Sequence, residues 1–208
     1  MHRNNPFGTI ALHFGHADLS TASAPVLMNG SSSSSSSLSW TSAPELGAAA
    51  LACLVHLGGW HLWGNLLFLL PFGDGVEQRL GPVGTWGLFF GLGSLALWAE
   101  AAVNGTPGGF VVGSSGGVAA LVGACVALQP RARVVVRVGV VPLGLPLWLY
   151  GVLELGNQVS GWAMNLPGVA FVAHTSGLVL GFFAGLALAR WVPEPEAKGG
   201  QSPLLPTK

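Results

Sequence analysis

The chain has 208 residues, of which 50% are hydrophobic and 8% charged, against roughly a quarter charged in an ordinary soluble domain. Eight basic and eight acidic side chains cancel, which excludes the basic footprint of a nucleic-acid-binding protein and leaves too few charges to cover a water-soluble surface. Cys53 and Cys125 both lie in apolar stretches, excluding a disulfide scaffold or a structural zinc centre, and the 32 glycines suit helices that approach backbone to backbone in a bilayer.

Residues 1–45 hold three of the six histidines and the run Ser31 to Ser37. They contain no apolar stretch near the ~20 residues that cross a bilayer and no signal-peptide core, so they are expected to be an extramembrane, low-complexity segment. From Leu46 onward come five apolar blocks, 46–72, 85–103, 110–128, 138–156 and 168–190. They predict an all-α polytopic membrane domain over 46–191, with a cytoplasmic tail at 192–208. The fourth block starts beside Arg137, has Glu154 near its end and is expected to kink at Pro142 and Pro146.

Basic residues collect on the cytoplasmic side of short loops. Arg79 falls between blocks one and two, Arg131, Arg133 and Arg137 between three and four, and Arg190, Lys198 and Lys208 at or after block five. Only Arg3 falls on the other side. The expected topology is N-terminus outside and C-terminus cytoplasmic in a multi-pass protein of a bacterial cell membrane, with spans one, three and five parallel.

Those three spans carry nearly all the polar side chains that are costly inside a bilayer. Span one has His56, His61 and Asn65; span three opens with Gly113-Ser114-Ser115-Gly116; span five holds His174, Thr175 and Ser176. Counted from inner ends at Phe72, Leu128 and Arg190, His61, Ser115 and His174 lie about 17, 20 and 24 Å up, a single layer nearer the outer face. Ser115, Ala119, Gly123 and Ala127 form one small-residue stripe, and His174, Gly177, Gly181 and Gly185 another. Packing these stripes together is expected to bring Ser115 within hydrogen-bond reach of His174, a nucleophile facing a base. His61 and Asn65, at i and i+4, are expected to point into the same pocket as oxyanion donors. A shallow pocket lined by His56, Asn65, Ser114 and Ser176 would admit water, although His56 reads equally as an interface residue. Glu100 and Glu154 are expected to be solvated at outer helix ends, and the tryptophans of the membrane domain to anchor span ends or pack.

These residues resemble the rhomboid family of intramembrane serine proteases. The motifs are His61-Leu62-Trp63-Gly64-Asn65 with His56 five residues earlier, Gly113-Ser114-Ser115-Gly116, and Ala173-His174-Thr175-Ser176-Gly177 followed by Gly181. Phe72-Gly73-Asp74-Gly75-Val76-Glu77 with Arg79-Leu80-Gly81 is similar to the connector after the family's second helix. The resemblance spans about residues 52–190. It implies a rhomboid-like bundle whose family core has six helices, five of them visible in this chain. It implies a Ser-His dyad with Ser115 as nucleophile and His174 as general base and acid. His61, Asn65 and the Ser115 backbone N–H would hold the oxyanion beside Gly113, with His56 and Ser114 lining the cavity and no metal or cofactor. The family's tryptophan-arginine pair has no counterpart, since Trp40 precedes Thr41, and the aromatic residue that often supports the histidine is Ala119. The partners implied are the lipid bilayer and transmembrane protein substrates, cleaved in or beside their membrane segments. The alternative is an inactive rhomboid-like protein that binds or remodels client helices. A small transporter would need paired charges at the midplane, and the sequence has none there.

Overall fold

Apolar runs that enter a bilayer satisfy their backbone groups internally, which favours helices wherever glycine and proline permit. The structure, a computed structural model, describes residues 12–13, 46–105, 111–138 and 141–192. Its helices are α1 (Leu46–Ala52), α2 (Gly59–Asn104), α3 (Ser115–Leu128), α4 (Leu147–Ala163) and α5 (Phe171–Ala189). Three strands, β1 (Leu12–His13), β2 (Arg133–Val138) and β3 (Val141–Pro146), form a small sheet in that order. The domain is therefore mostly rather than wholly helical. The rest of residues 1–45, residues 106–110, the last of which begins the third apolar block, residues 139–140 in the fourth, and the tail from 193 lie outside the described residues.

Three block boundaries differ from the sequence expectation. The first block is not one helix: α1 stops at Ala52, and α2 starts after the Gly58-Gly59 pair, with Gly58 extended at φ 165°. Between them the His56 ring bonds the Leu54 carbonyl at 3.1 Å, a local alternative to the helical ladder. Next, the stretch from Phe72 to Leu80, read as a connector, is helical. The chain turns at a single residue, Gly81, whose φ of 70° only glycine adopts readily. Pro82 then opens the second arm at a position where its missing N–H would have no helical acceptor. The arms, 59–80 and 82–104, are each about 33 to 35 Å long, close to the ~30 Å hydrocarbon thickness of a bilayer. Finally, the fourth helix starts at Leu147, and the residues before it pair as a hairpin, with Val134 opposite Leu145 and Val136 opposite Leu143. The β-branched run Val134-Val135-Val136 favours a strand, and Pro142 and Pro146 are tolerated because β3 is an edge.

Among the described residues, α2 and α5 are long and apolar enough to cross a membrane, while α3 is apolar but has 14 residues. Helix α3 lies at the centre and is almost entirely buried. Against α5 it packs backbone to backbone. Gly177 closes on the Gly116 carbonyl, Gly181 on the Ala120 carbonyl, and a Cβ at Gly185 would lie 2.8 Å from that of Ala127. The glycine stripe of α5 thus meets α3 in parallel, on a face centred on Gly116, Ala120 and Ala124, one residue on from the expected stripe, with Ala119 and Ala127 beside it. The first arm of α2 also runs parallel to α3, as Gln129 Nε2 donates to the Gly75 carbonyl at 2.6 Å. The second arm returns antiparallel, with a Cβ at Gly93 reaching Gly117 Cα at 3.0 Å. Helix α4 runs antiparallel to α3 and α5, admitted at both ends by Gly151 against Val126 and Gly161 against Phe171. Phe72, Leu121, Leu147 and Val76 fill the centre, and Phe72 stacks on Tyr150. Trp60, Val83, Trp98, Phe183 and Trp191 point outward and exposed, a surface suited to lipid rather than water.

Strand β1 pairs in parallel with β2, Leu12 opposite Val136. Residues 12–13 therefore sit at the arginine-rich end of the bundle, opposite to the side on which the charge count places the N-terminal segment.

Candidate active site

Parallel helices bring like ends together. His61 is the third residue of α2, Ser115 the first of α3 and His174 the fourth of α5, so all three lie at the N-terminal ends of parallel elements. The other ends of the same elements are joined by Arg79, whose Nη1 donates to the Leu128 carbonyl at 3.3 Å and Nη2 to that of Val192 at 3.5 Å.

The segment entering α3 is held from α1, where the Gly113 N–H donates to the Ala52 carbonyl at 3.0 Å. Gly113 has φ 128°, and a Cβ there would lie 3.0 Å from His61 Cε1, 3.3 Å from His61 Nε2 and 3.9 Å from Ser115 Oγ. The missing side chain thus lets the His61 imidazole come close to the Gly113 backbone beside the Ser115 hydroxyl. His56 Nε2 is 2.8 Å from Ser114 Oγ, and the two histidine rings meet edge to face with centroids 5.2 Å apart. His56, His61, Gly113, Ser114 and Ser115 therefore form one cluster. Ser115 begins its helix, and the first N–H bonded back along it is that of Val118, to the Ser114 carbonyl. The preceding N–H groups have no acceptor within the helix and leave its positive end at the cluster.

Asn65 is buried, and its amide donates to the His61 carbonyl of its own helix at 3.0 Å. That bond steadies the first turns of α2 with one hydrogen of the amide and leaves the second for an acceptor beside His61. Ser176 likewise donates back to the Val172 carbonyl at 2.7 Å, which commits its hydroxyl proton to its own helix.

The first turn of α5 is held from two sides. Glu100, expected in solvent, is buried: one carboxylate oxygen accepts the Ala173 N–H at 2.8 Å and the other accepts Asn104 Nδ2 at 2.7 Å. The carboxylate satisfies an N–H that the helix start leaves orphaned. His174 Nδ1 lies 2.9 Å from Gln158 Oε1, and Gln158 Nε2 donates to Glu154 Oε1. Glu154, also expected in solvent, is half-buried and reaches His174 through that amide. Ser115 and His174 flank the contact of α3 with α5, where a Cβ at Gly116 would be 3.8 Å from the Ala173 carbonyl. No hydrogen bond joins them among the described residues.

Sequence reasoning missed Gln158 and the role of Glu100. For both the signal was present: Glu154 with Gln158, and Glu100 with Asn104, are polar i, i+4 pairs in otherwise apolar helices.

A Rhomboid domain family model matches residues 44–191. The chain is 27% identical over 141 residues to "Rhomboid protein 1, mitochondrial" of Saccharomyces cerevisiae, a match covering 66% of this chain and 40% of that relative. The chain thus matches less than half the length of that relative.

Proposed function

The chain belongs to the rhomboid family, and from that premise we propose that it is an intramembrane serine endopeptidase acting on peptide bonds in or beside transmembrane segments, by a Ser115–His174 dyad. The observation that carries the proposal is the convergence of His61 and Ser115 on the empty side of Gly113, with His174 on the adjoining helix end. Family membership alone is compatible with inactive relatives; both reactive side chains are present in this chain.

The chemistry proceeds in two stages. His174 Nε2 takes the Ser115 proton as Oγ attacks the scissile carbonyl, and the resulting oxyanion is held by the Ser115 N–H with His61 and Asn65. One pre-aimed donor of this kind is worth about 3 kcal/mol. His174 then protonates the leaving amine, which departs and leaves an acyl-Ser115. Water, deprotonated by His174, attacks that ester and releases the second product. In such dyads the hydroxyl–imidazole bond commonly tightens only when substrate is bound. A helical substrate shields its peptide bonds, so local unwinding at small or helix-breaking residues is the expected preference.

In the bilayer, the two arms of α2 with α3, α4 and α5 would make five crossings of alternating direction. The arginine end would face the cytoplasm and the cluster the outer side.

A second function, binding client helices without cleavage, draws on the lack of a hydrogen bond between Ser115 and His174 among the described residues. Cleavage of a model transmembrane substrate in proteoliposomes decides between them. Product from the wild type, lost in Ser115→Ala and in His174→Ala, is expected. Equal product from wild type and Ser115→Ala refutes the protease, while retained crosslinking to the client helix with no product from any variant supports the binding function.

A further inference from the structure

Histidine serves as a base only through a nitrogen that carries a lone pair, and which nitrogen that is depends on the partner of the other. Around His174 the partner is fixed by a chain of hydrogen bonds. The Glu154 carboxylate only accepts, so the Gln158 group facing it is the NH2, and the amide oxygen is therefore the atom turned to His174. That oxygen in turn only accepts. The proton of a neutral His174 then sits on Nδ1, and Nε2 is left bare.

Among the described residues, no hydrogen bond reaches the ring from α3. One turn below Ser115 stands Ala119, whose methyl lies 3.3 Å from where a Cβ at Gly177 would be, facing the α5 backbone instead of the imidazole. Glu100 fixes the neighbouring backbone at Ala173 rather than the ring. The ring is oriented from α4, which comes close enough because Gly151 and Gly161 bracket Glu154 and Gln158 on the face that meets α3 and α5.

We propose that Gln158, anchored by Glu154, is the positioning residue that holds His174 in the Nδ1–H tautomer with Nε2 turned to Ser115, extending the dyad into a relay Ser115–His174–Gln158–Glu154. The proposal rests on the protease function above. It makes α4 a functional element, so that displacing this helix disarms the base as well as opening the bundle.

The test uses the full chain in proteoliposomes with a model transmembrane substrate. Gln158→Leu is expected to lower kcat about tenfold to a hundredfold through a misoriented base, with KM within about twofold of wild type. The exchange Glu154→Gln with Gln158→Glu reverses the polarity of the buried pair yet still offers an acceptor to Nδ1–H, and is expected to recover kcat to within about threefold. Wild-type kcat in Gln158→Leu overturns the proposal, as does a loss that the exchange fails to rescue. A wild type that cleaves nothing overturns the protease function and the relay together; an active wild type indifferent to Gln158→Leu overturns the relay alone.

Discussion

The distance between α3 and α5 is set by glycine, and replacing Gly181 measures how closely the site depends on it. A Cβ at Gly181 would stand 2.7 Å from Ala120 Cα and closer still to the Ala120 carbonyl. Non-bonded carbons meet at about 3.5 Å, so Gly181→Ala forces the two helices about 1 Å apart. The obstacle is backbone on both sides, and no side chain can swing away to absorb the shift. Overpacking of this kind costs about 1–3 kcal/mol, which need not unfold the bundle. Ser115 and His174 sit on the two helices being separated, one to two turns from the wedge, and a 1 Å misplacement of reacting groups is worth about 100-fold in rate. Gly181→Ala is therefore expected to lower kcat about 100-fold in the proteoliposome assay. Gly91→Ala is the control, since a Cβ at Gly91 meets nothing within 4 Å, and wild-type turnover is expected of it. A folded Gly181→Ala protein with kcat within about threefold of wild type would refute the claim that this backbone contact sets the reacting geometry.

Other outcomes follow from the same contacts. Gly113→Ala would combine an unfavourable φ with a methyl against His61, and should reduce cleavage about as strongly as loss of one oxyanion donor, 10²- to 10³-fold, while lowering the unfolding free energy by about 1–3 kcal/mol. Glu100→Ala leaves the buried Ala173 N–H without its acceptor and should destabilise the bundle by about 1–3 kcal/mol in denaturant titration; Glu100→Gln, which keeps an acceptor oxygen, should recover most of that. Arg79→Ala removes the ties to Leu128 and Val192; faster hydrogen exchange at residues 188–192 is expected, while cleavage stays within about threefold of wild type. Cys53 and Cys125 are both free and fully buried, so neither should react with maleimide in the folded protein and both should react after denaturation in SDS. Rapid labelling of the folded chain would contradict the burial of both thiols.

The parts of the fold legible in the sequence were those written as local spacing. Small residues every four positions, from Ser115 to Ala127 and from Gly177 to Gly185, made the α3–α5 contact readable to within one residue, because helical periodicity converts spacing directly into a face. The parts that were not legible depend on one residue's backbone or on a distant partner. Gly81 turns the chain alone, whereas glycines such as Gly84 and Gly87 nearby stay helical, and composition does not separate them. Val134–Val136 fell in the connector between blocks three and four and residues 141–146 in the fourth block, and both become strand because each has the other to pair with. Glu100 resembled a solvated helix-end residue until α5 placed the Ala173 N–H against it. Within the candidate site, the sequence identified which residues to compare; what holds each of them, Gln158 above all, came from the neighbouring helix.

The one-residue turn at Gly81 also acts as a ruler. His61 lies twenty residues before it and Glu100 nineteen after it, distances of about 30 and 28 Å along the two arms. Counts that differ by one residue bring the chain back to nearly the level it left, so the imidazole beside Ser115 and the carboxylate under Ala173 are levelled by arithmetic, with no loop to take up slack. Deleting one residue between 82 and 99 would draw Glu100 back by about 1.5 Å and rotate it by about 100° around its helix. The α5 turn that carries His174 would lose its support, although every residue of the proposed dyad would be intact.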